Sequence, residues 1–200
     1  MKNTISRLVI ALVAAHAAAF IALHLLEGHL SPVSSIISDY AATESRWIAS
    51  LSFVFFAGIW ALFAVILPGR NLLINTGRGL FLIAAIFILV GTMLPESMDP
   101  RTGSLLSRVQ NLFARPGLFI GIVLVSVGLH KTRGWEAQAK ILVGLSVTAL
   151  ALLLLSVMVL LEVGLAGVGQ RLIFALLYGW ATITALAIRG QADSTATEAA

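Results

Sequence analysis

Six long apolar runs dominate this 200-residue chain, and they restrict its fold more than any other feature. A helix that crosses a bilayer needs about 20 mostly apolar residues, within a range of about 17–25. The runs are Arg7–Leu26, Trp47–Leu67, Gly79–Leu94, Leu112–Leu129, Ile141–Val163 and Leu172–Ile188. Polar turns separate them. Backbone groups in lipid must bond within the segment, so each run is read as a helix. The runs do not alternate polar with apolar, which excludes a barrel. The expected fold class is therefore all-α: a six-helix transmembrane bundle in one domain, residues 1–190. Residues 191–200, QADSTATEAA, read as a short polar cytoplasmic tail without order.

Composition agrees. Hydrophobic residues make up 59% of the chain and charged ones 11%, with a mean hydropathy of +1.00. A soluble domain carries about 25% charged residues. Too little polar surface exists here to face water, and lipid is the alternative solvent. The chain has no cysteine, which removes disulfides and thiolate chemistry. Its net charge of +4 comes from scattered basic residues, so nucleic acid is not an expected partner. Lys2 and Arg7 before an alanine-rich run resemble a signal peptide. The run continues to Leu26, beyond a usual apolar region of about 7–15 residues, and is read as a first span.

Lysine and arginine give the orientation. With the N-terminus inside, the inner segments hold Lys2, Arg7, Arg70, Arg78, Lys131, Arg133, Lys140 and Arg189. The outer segments hold Arg46, Arg101, Arg108, Arg115 and Arg171. Both termini are thus expected in the cytoplasm and the protein in the bacterial inner membrane. Trp47 reads as an outer interfacial anchor and Trp135 as an inner one. Trp60 and Trp180 lie deeper, as packing residues.

The polar residues gather at the outer end. SPVSSIISDY, Ser31 to Tyr40, opens with a serine cap and a proline. Val33, Ile36, Ile37 and Tyr40 then fall at i, i+3, i+4 and i+7. The pattern predicts a short amphipathic helix with Ser34, Ser35, Ser38 and Asp39 on its other face. Ser104–Arg115 reads as a second such piece, ended by a kink or break at Pro116. In the first span, His16, His24 and Glu27 share one side, at about 100° per residue. His16 is an intramembrane ionisable residue, which points into the bundle and is a functional candidate by default. Glu162 and Arg171 flank one outer turn and form a candidate ion pair. The candidate polar cluster is thus His24, Glu27, Ser34, Ser38, Asp39, Arg108 and Arg171.

Several chemistries compete for that cluster. Outer arginines such as Arg108 suit a lipid phosphate through paired donors. Ser34 or Ser38, with His24 or His29 and Asp39 or Glu27, supplies the residue types of a membrane-embedded hydrolase, yet no G-x-S-x-G elbow is present. His24, His29, Glu27 and Asp39 lack any recognised metal-ligand spacing, so no metal is expected. No cofactor is expected either. His16 and His130 lie at different depths and do not fit a bis-histidine haem, and no span holds a lysine for retinal. Membrane lipids are the expected partners, with an amphiphile or small solute as ligand, bound or transported. An interaction protein without a pocket is the third reading.

Three stretches in order resemble the prokaryotic six-span membrane proteins grouped as domain of unknown function 998. They are SPVSSIISDY with its Ser38–Asp39 pair, GTMLPESMDP with Gly91, Pro95 and Asp99, and VGQRLIFALLYGW with Gln170–Arg171 and Trp180. The resemblance covers about Ile10 to Arg189 and implies a six-span fold. It implies no activity. It also implies a histidine at the helix after the Pro/Asp loop, where this chain reads SRVQNLFARP with Gln110 or Asn111.

Overall fold

The computed structural model describes the backbone of residues 1–69, 71–93, 105–160 and 162–198. It describes no side chains for Ser38, Met93, residues 105–115 or residues 193–198. The elements are α1 (Lys2–Leu26), the single turn α2 (Ile37–Tyr40), α3 (Arg46–Ile66), α4 (Leu72–Met93), α5 (Leu105–His130), α6 (Glu136–Leu155) and α7 (Ala166–Glu198). A π-helical turn, Ser156–Leu160, prolongs α6. No strand occurs among the described residues. Helices α1, α3, α4, α6 with its π turn, and α7 are long and apolar enough to cross a membrane, and Pro116–His130 of α5 is a shorter apolar helix. The protein is a multi-pass helical membrane bundle.

Neighbours in sequence are neighbours in space. α1 packs on α3, α3 on α4, α4 on α5, α5 on α6, and α6 on α7; α7 returns to α1. The six long helices therefore close into a ring. The start of α1 meets the later turns of α7 at one end of it, where Lys2, Pro68, Ile188, Gln191 and Ala192 line a cavity of about 210 Å³. The outer wall is apolar, with Ile21, Val65, Ile86, Val147, Met158 and Leu186 exposed as lipid requires. The centre is aromatic: Trp60 lies 5.8 Å from Trp180 and 5.1 Å from Phe81, and Phe63 lies 5.3 Å from Trp180.

Polar pins join the helices inside this apolar shell. The Trp180 indole donates to Ser126 Oγ at 2.8 Å, and Ser126 and Ser146 hydroxyls lie 2.8 Å apart, tying α7, α5 and α6. Lipid tails give helices no hydrophobic reason to associate, so such bonds and close backbone approach hold the bundle. One such close approach is between α4 and α5. A Cβ on Gly77 would lie 2.5 Å from Val125 Cγ2 and 3.0 Å from the Gly121 carbonyl, and one on Gly121 would lie 2.8 Å from Phe81.

Several expectations change. Pro116 lies inside α5, which begins at Leu105 and runs on to His130, so it does not end the helix. The second amphipathic piece is therefore the first turns of that helix, although its side chains lie outside the described residues. Trp135 is no interfacial anchor: it is fully buried, and its indole donates to Gln191 Oε1 at 3.0 Å. Trp47 is 65% exposed, as an anchor would be. α7 continues to Glu198, through the segment expected to be a tail without order.

The glycine notch generates a paired prediction. Gly77→Ala forces α4 from α5 and costs about 1–3 kcal/mol, the range for overpacking. Gly144→Ala meets nothing within 4 Å and leaves stability equal or slightly higher. Thermal unfolding in detergent, read by intrinsic fluorescence, distinguishes the two.

Candidate functional site

The polar residues predicted at one end of the bundle separate into two groups. The first surrounds Arg171, in the second turn of α7. Its Nε–H donates to His24 Nε2 at 2.9 Å, and Nη2 donates to the same nitrogen. Nη1 donates to the carbonyls of Ser35 at 3.1 Å and Gly167 at 2.7 Å. Nη2 also reaches the Tyr40 hydroxyl at 3.4 Å. The guanidinium carbon stands 5.6 Å from the Phe20 ring centroid. A guanidinium has five N–H groups, and these acceptors engage all of its nitrogens.

His24 is equally committed. Its Nδ1–H donates to the Phe20 carbonyl at 2.7 Å, which leaves Nε2 as the acceptor for Arg171. Tyr40 is fully buried against this pair, its ring 5.1 Å from His24. Burial pushes the Tyr40 phenol up, against the opposing pull of Arg171, so the hydroxyl stays neutral.

Arg171 also explains SPVSSIISDY. The expected amphipathic helix is reduced to a turn at Pro32–Ser34 and the single turn α2. The physical reason is competition for its backbone. Val168 N–H donates to the Val33 carbonyl at 3.1 Å, and Ile37 N–H donates to Gln170 Oε1 at 2.7 Å. With Arg171 on Ser35, α7 holds the segment at three backbone points. A Cβ on Gly167 would lie 2.7 Å from the carbonyls of Pro32, Val33 and Ser35. Only glycine admits the segment there. Asp39 Oδ2 accepts Ile36 N–H at 2.9 Å and caps α2. Ser34 is exposed, and the side chains of Ser38 and Arg108 lie outside the described residues.

The second group surrounds Glu27, just past α1. Its side chain is 10% exposed. Oε1 accepts Ser45 N–H at 3.1 Å, at the N-terminal end of α3, and Oε2 lies 3.6 Å from His29 Nδ1. A carboxylate at a helix N-terminus meets the positive end of the helix dipole. Hydrogen bonds from the Ser45 and Thr43 side chains, with that backbone bond, hold the Glu27 carboxyl below the usual carboxylate range. Leu26, Glu27, His29, Ala42, Thr43, Glu44 and Ser45 line an open cavity of about 650 Å³.

The remaining candidates fall elsewhere. His16 is fully buried on α1 and bonds through Nδ1 to the Tyr178 hydroxyl on α7. Phe56, Phe174 and Tyr178 surround its ring at 5.0–5.5 Å. Its Nε2 is buried without a partner. Glu162 is exposed and forms no ion pair with Arg171, whose donors already point at His24 and carbonyls. Of the rival hydrolase set, both His24 nitrogens are engaged by Phe20 and Arg171, Asp39 Oδ2 accepts Ile36 N–H, and the Ser38 side chain lies outside the described residues. No metal-binding set of histidine and carboxylate side chains occurs among the described residues.

A family model described as "Protein of unknown function (DUF998)" matches residues 9–187. The chain belongs to the DUF998 family. No curated protein and no solved structure matches it. The DUF998 match reaches into all six long helices and covers both polar groups. Sequence reasoning missed the role of Gly167 and of the Tyr178 hydroxyl; Gly167, three residues before Gln170, was the available signal.

Gly167→Ala should displace the 31–37 segment from α7 while leaving the helices intact. Hydrogen exchange at the Ile37 and Val168 amides is the measurement: both should lose protection, with amides in the centre of α3 unchanged.

Proposed function

We propose that this DUF998 protein binds an amphiphile at the Glu27 cleft, with the headgroup bearing an amine. The observation that carries this reading is the Glu27 carboxylate itself. Its side chain is largely covered, is held ionised by Ser45 and Thr43, and forms part of the wall of a cavity of about 650 Å³. Glu44 adds a second carboxylate to the lining, and exposed Leu26 offers apolar surface beside it. An ammonium group can pair with both acids while its alkyl chain lies along α1. A phosphate at Arg171 is a poorer fit, because protein acceptors already take its donors. Binding is favoured over passage through the ring, since Trp60, Trp180, Phe63 and Phe81 fill the centre.

The test is native mass spectrometry of protein released from detergent with two lipids in competition, phosphatidylethanolamine and phosphatidylglycerol. Wild type should retain the amine lipid preferentially. Glu27→Gln should lose most of that preference, and Glu44→Gln part of it, with unfolding temperatures measured on the same samples. Equal retention of both lipids by wild type rejects the reading.

Orientation belongs to the same proposal. Lys2, Arg7, Lys131, Arg133 and Lys140 favour the cytoplasm for the end where the start of α1 meets the later turns of α7. The cleft then opens on the outer face of the cytoplasmic membrane. A fluorescent protein fused to the C-terminus should fluoresce, and alkaline phosphatase fused there should be inactive; active phosphatase reverses the orientation.

A further inference from the structure

Residues 31–40 form a strap across the first turns of α7. Three bonds hold it: Val33 O to Val168 N–H, Ser35 O to Arg171 Nη1, and Ile37 N–H to Gln170 Oε1. Of these, the Arg171 bond depends on a titratable residue. The guanidinium is aimed by His24, whose single Nε2 lone pair accepts from both Nε and Nη2. That edge of a guanidinium ordinarily takes two carboxylate oxygens. Here one neutral imidazole nitrogen fills it, and the Phe20 carbonyl fixes the tautomer by taking the Nδ1 proton.

We propose that His24 is an acid-operated latch: neutral, it clamps the middle of the strap onto α7 through Arg171; protonated, it frees that middle point and loosens the strap. Protonation at Nε2 removes the acceptor and sets N–H against N–H. It also places two cations side by side. The groups facing His24 cannot absorb that charge. Arg171 faces it from α7 and Tyr40 from α2. The carboxylates that act on Tyr40 across the cluster are Asp39 and Glu27. They are engaged with Ile36 N–H and Ser45 N–H. No carboxylate bonds to Arg171 among the described residues. The repelled guanidinium swings away and surrenders Ser35, and Val33 and Ile37 are left as the remaining attachments.

The sign follows from the neutral form being the one that bonds. The latch is closed while Nε2 carries no proton and opens when Nε2 takes one. Beneath the strap lies a file of rings, with Tyr40 5.1 Å from His24, His24 4.8 Å from Phe20, and Phe20 6.4 Å from His16. The file ends at His16 Nε2, buried and without a partner. An open strap admits water towards that nitrogen.

The chain has no native cysteine, so spin labels can be placed without background. Ser34→Cys marks the exposed strap and Leu172→Cys an exposed position on α7. Their distance is measured by pulsed electron resonance from about pH 8 to about pH 5. In the otherwise wild-type chain, a longer component should appear on acidification. Its ratio to the short component should rise by up to about tenfold per pH unit, the limit for release linked to one proton. Adding His24→Gln, whose amide oxygen accepts from Arg171 without titrating, should keep the short distance throughout; His24→Asn serves as the second neutral variant. A wild-type distance that ignores pH overturns the proposal, as does an undiminished acid response in the neutral variants.

Discussion

The seam between α1 and α7 decides whether the six helices make a closed object. The other five contacts join helices adjacent in the chain, and short connections favour them. This one joins the first helix to the last, with no loop to help. Lipid supplies no hydrophobic drive for it either. Two histidines two turns apart provide it: His16 meets the Tyr178 hydroxyl and His24 meets Arg171. The spacing of eight residues on α1 against seven on α7 matches antiparallel helices rising about 1.5 Å per residue. Interhelical bonds of this kind are worth about 0.6–2 kcal/mol each in a membrane, and Phe174 packing on Phe20 and His16 adds to them.

Arg171 is the stronger and stranger half of that seam. A cation near the end of a span would be expected to seek a carboxylate. Instead it bonds an imidazole, two carbonyls and a phenol, all of them neutral. Its charge organises a loop. The nearby acids serve other ends, Asp39 capping α2 and Glu27 bonding the start of α3. The result is a division of labour at one face of the bundle. Arg171 governs how the strap is held, and Glu27 shapes a cleft that remains open.

Much of this architecture was legible in the residues. Apolar run length gave six helices, and an arc of 100° per residue put His16, His24 and Glu27 on one inward side of α1, where all three are wholly or partly buried. What they would touch was not legible. Periodicity within one helix carries no information on the register of a distant partner, so Glu162 looked a better mate for Arg171 than His24 did. The strap was misread for a related reason. Its Val33, Ile36, Ile37 and Tyr40 spacing is helical, but α7 binds its backbone carbonyls and amides, and backbone bonds leave no mark on side-chain pattern. Gly167 was the one trace. Residues such as Trp135 were misplaced because an indole N–H can be satisfied by a half-buried glutamine as well as by an interface.

The closed ring also sets an order of events during synthesis. α1 enters the membrane first and α7 last. Until α7 arrives, His16 has Phe56 of α3 beside it but lacks the Tyr178 hydroxyl, and His24 lacks Arg171. Their polar nitrogens must then be shielded by lipid headgroups, water or the insertion machinery. Every other helix pair can form as soon as its second member emerges. The seam cannot, and its completion reports that the whole chain has been inserted. A truncated or stalled chain would leave His16 without the Tyr178 hydroxyl and His24 without Arg171, a mark by which an incomplete molecule differs from a finished one.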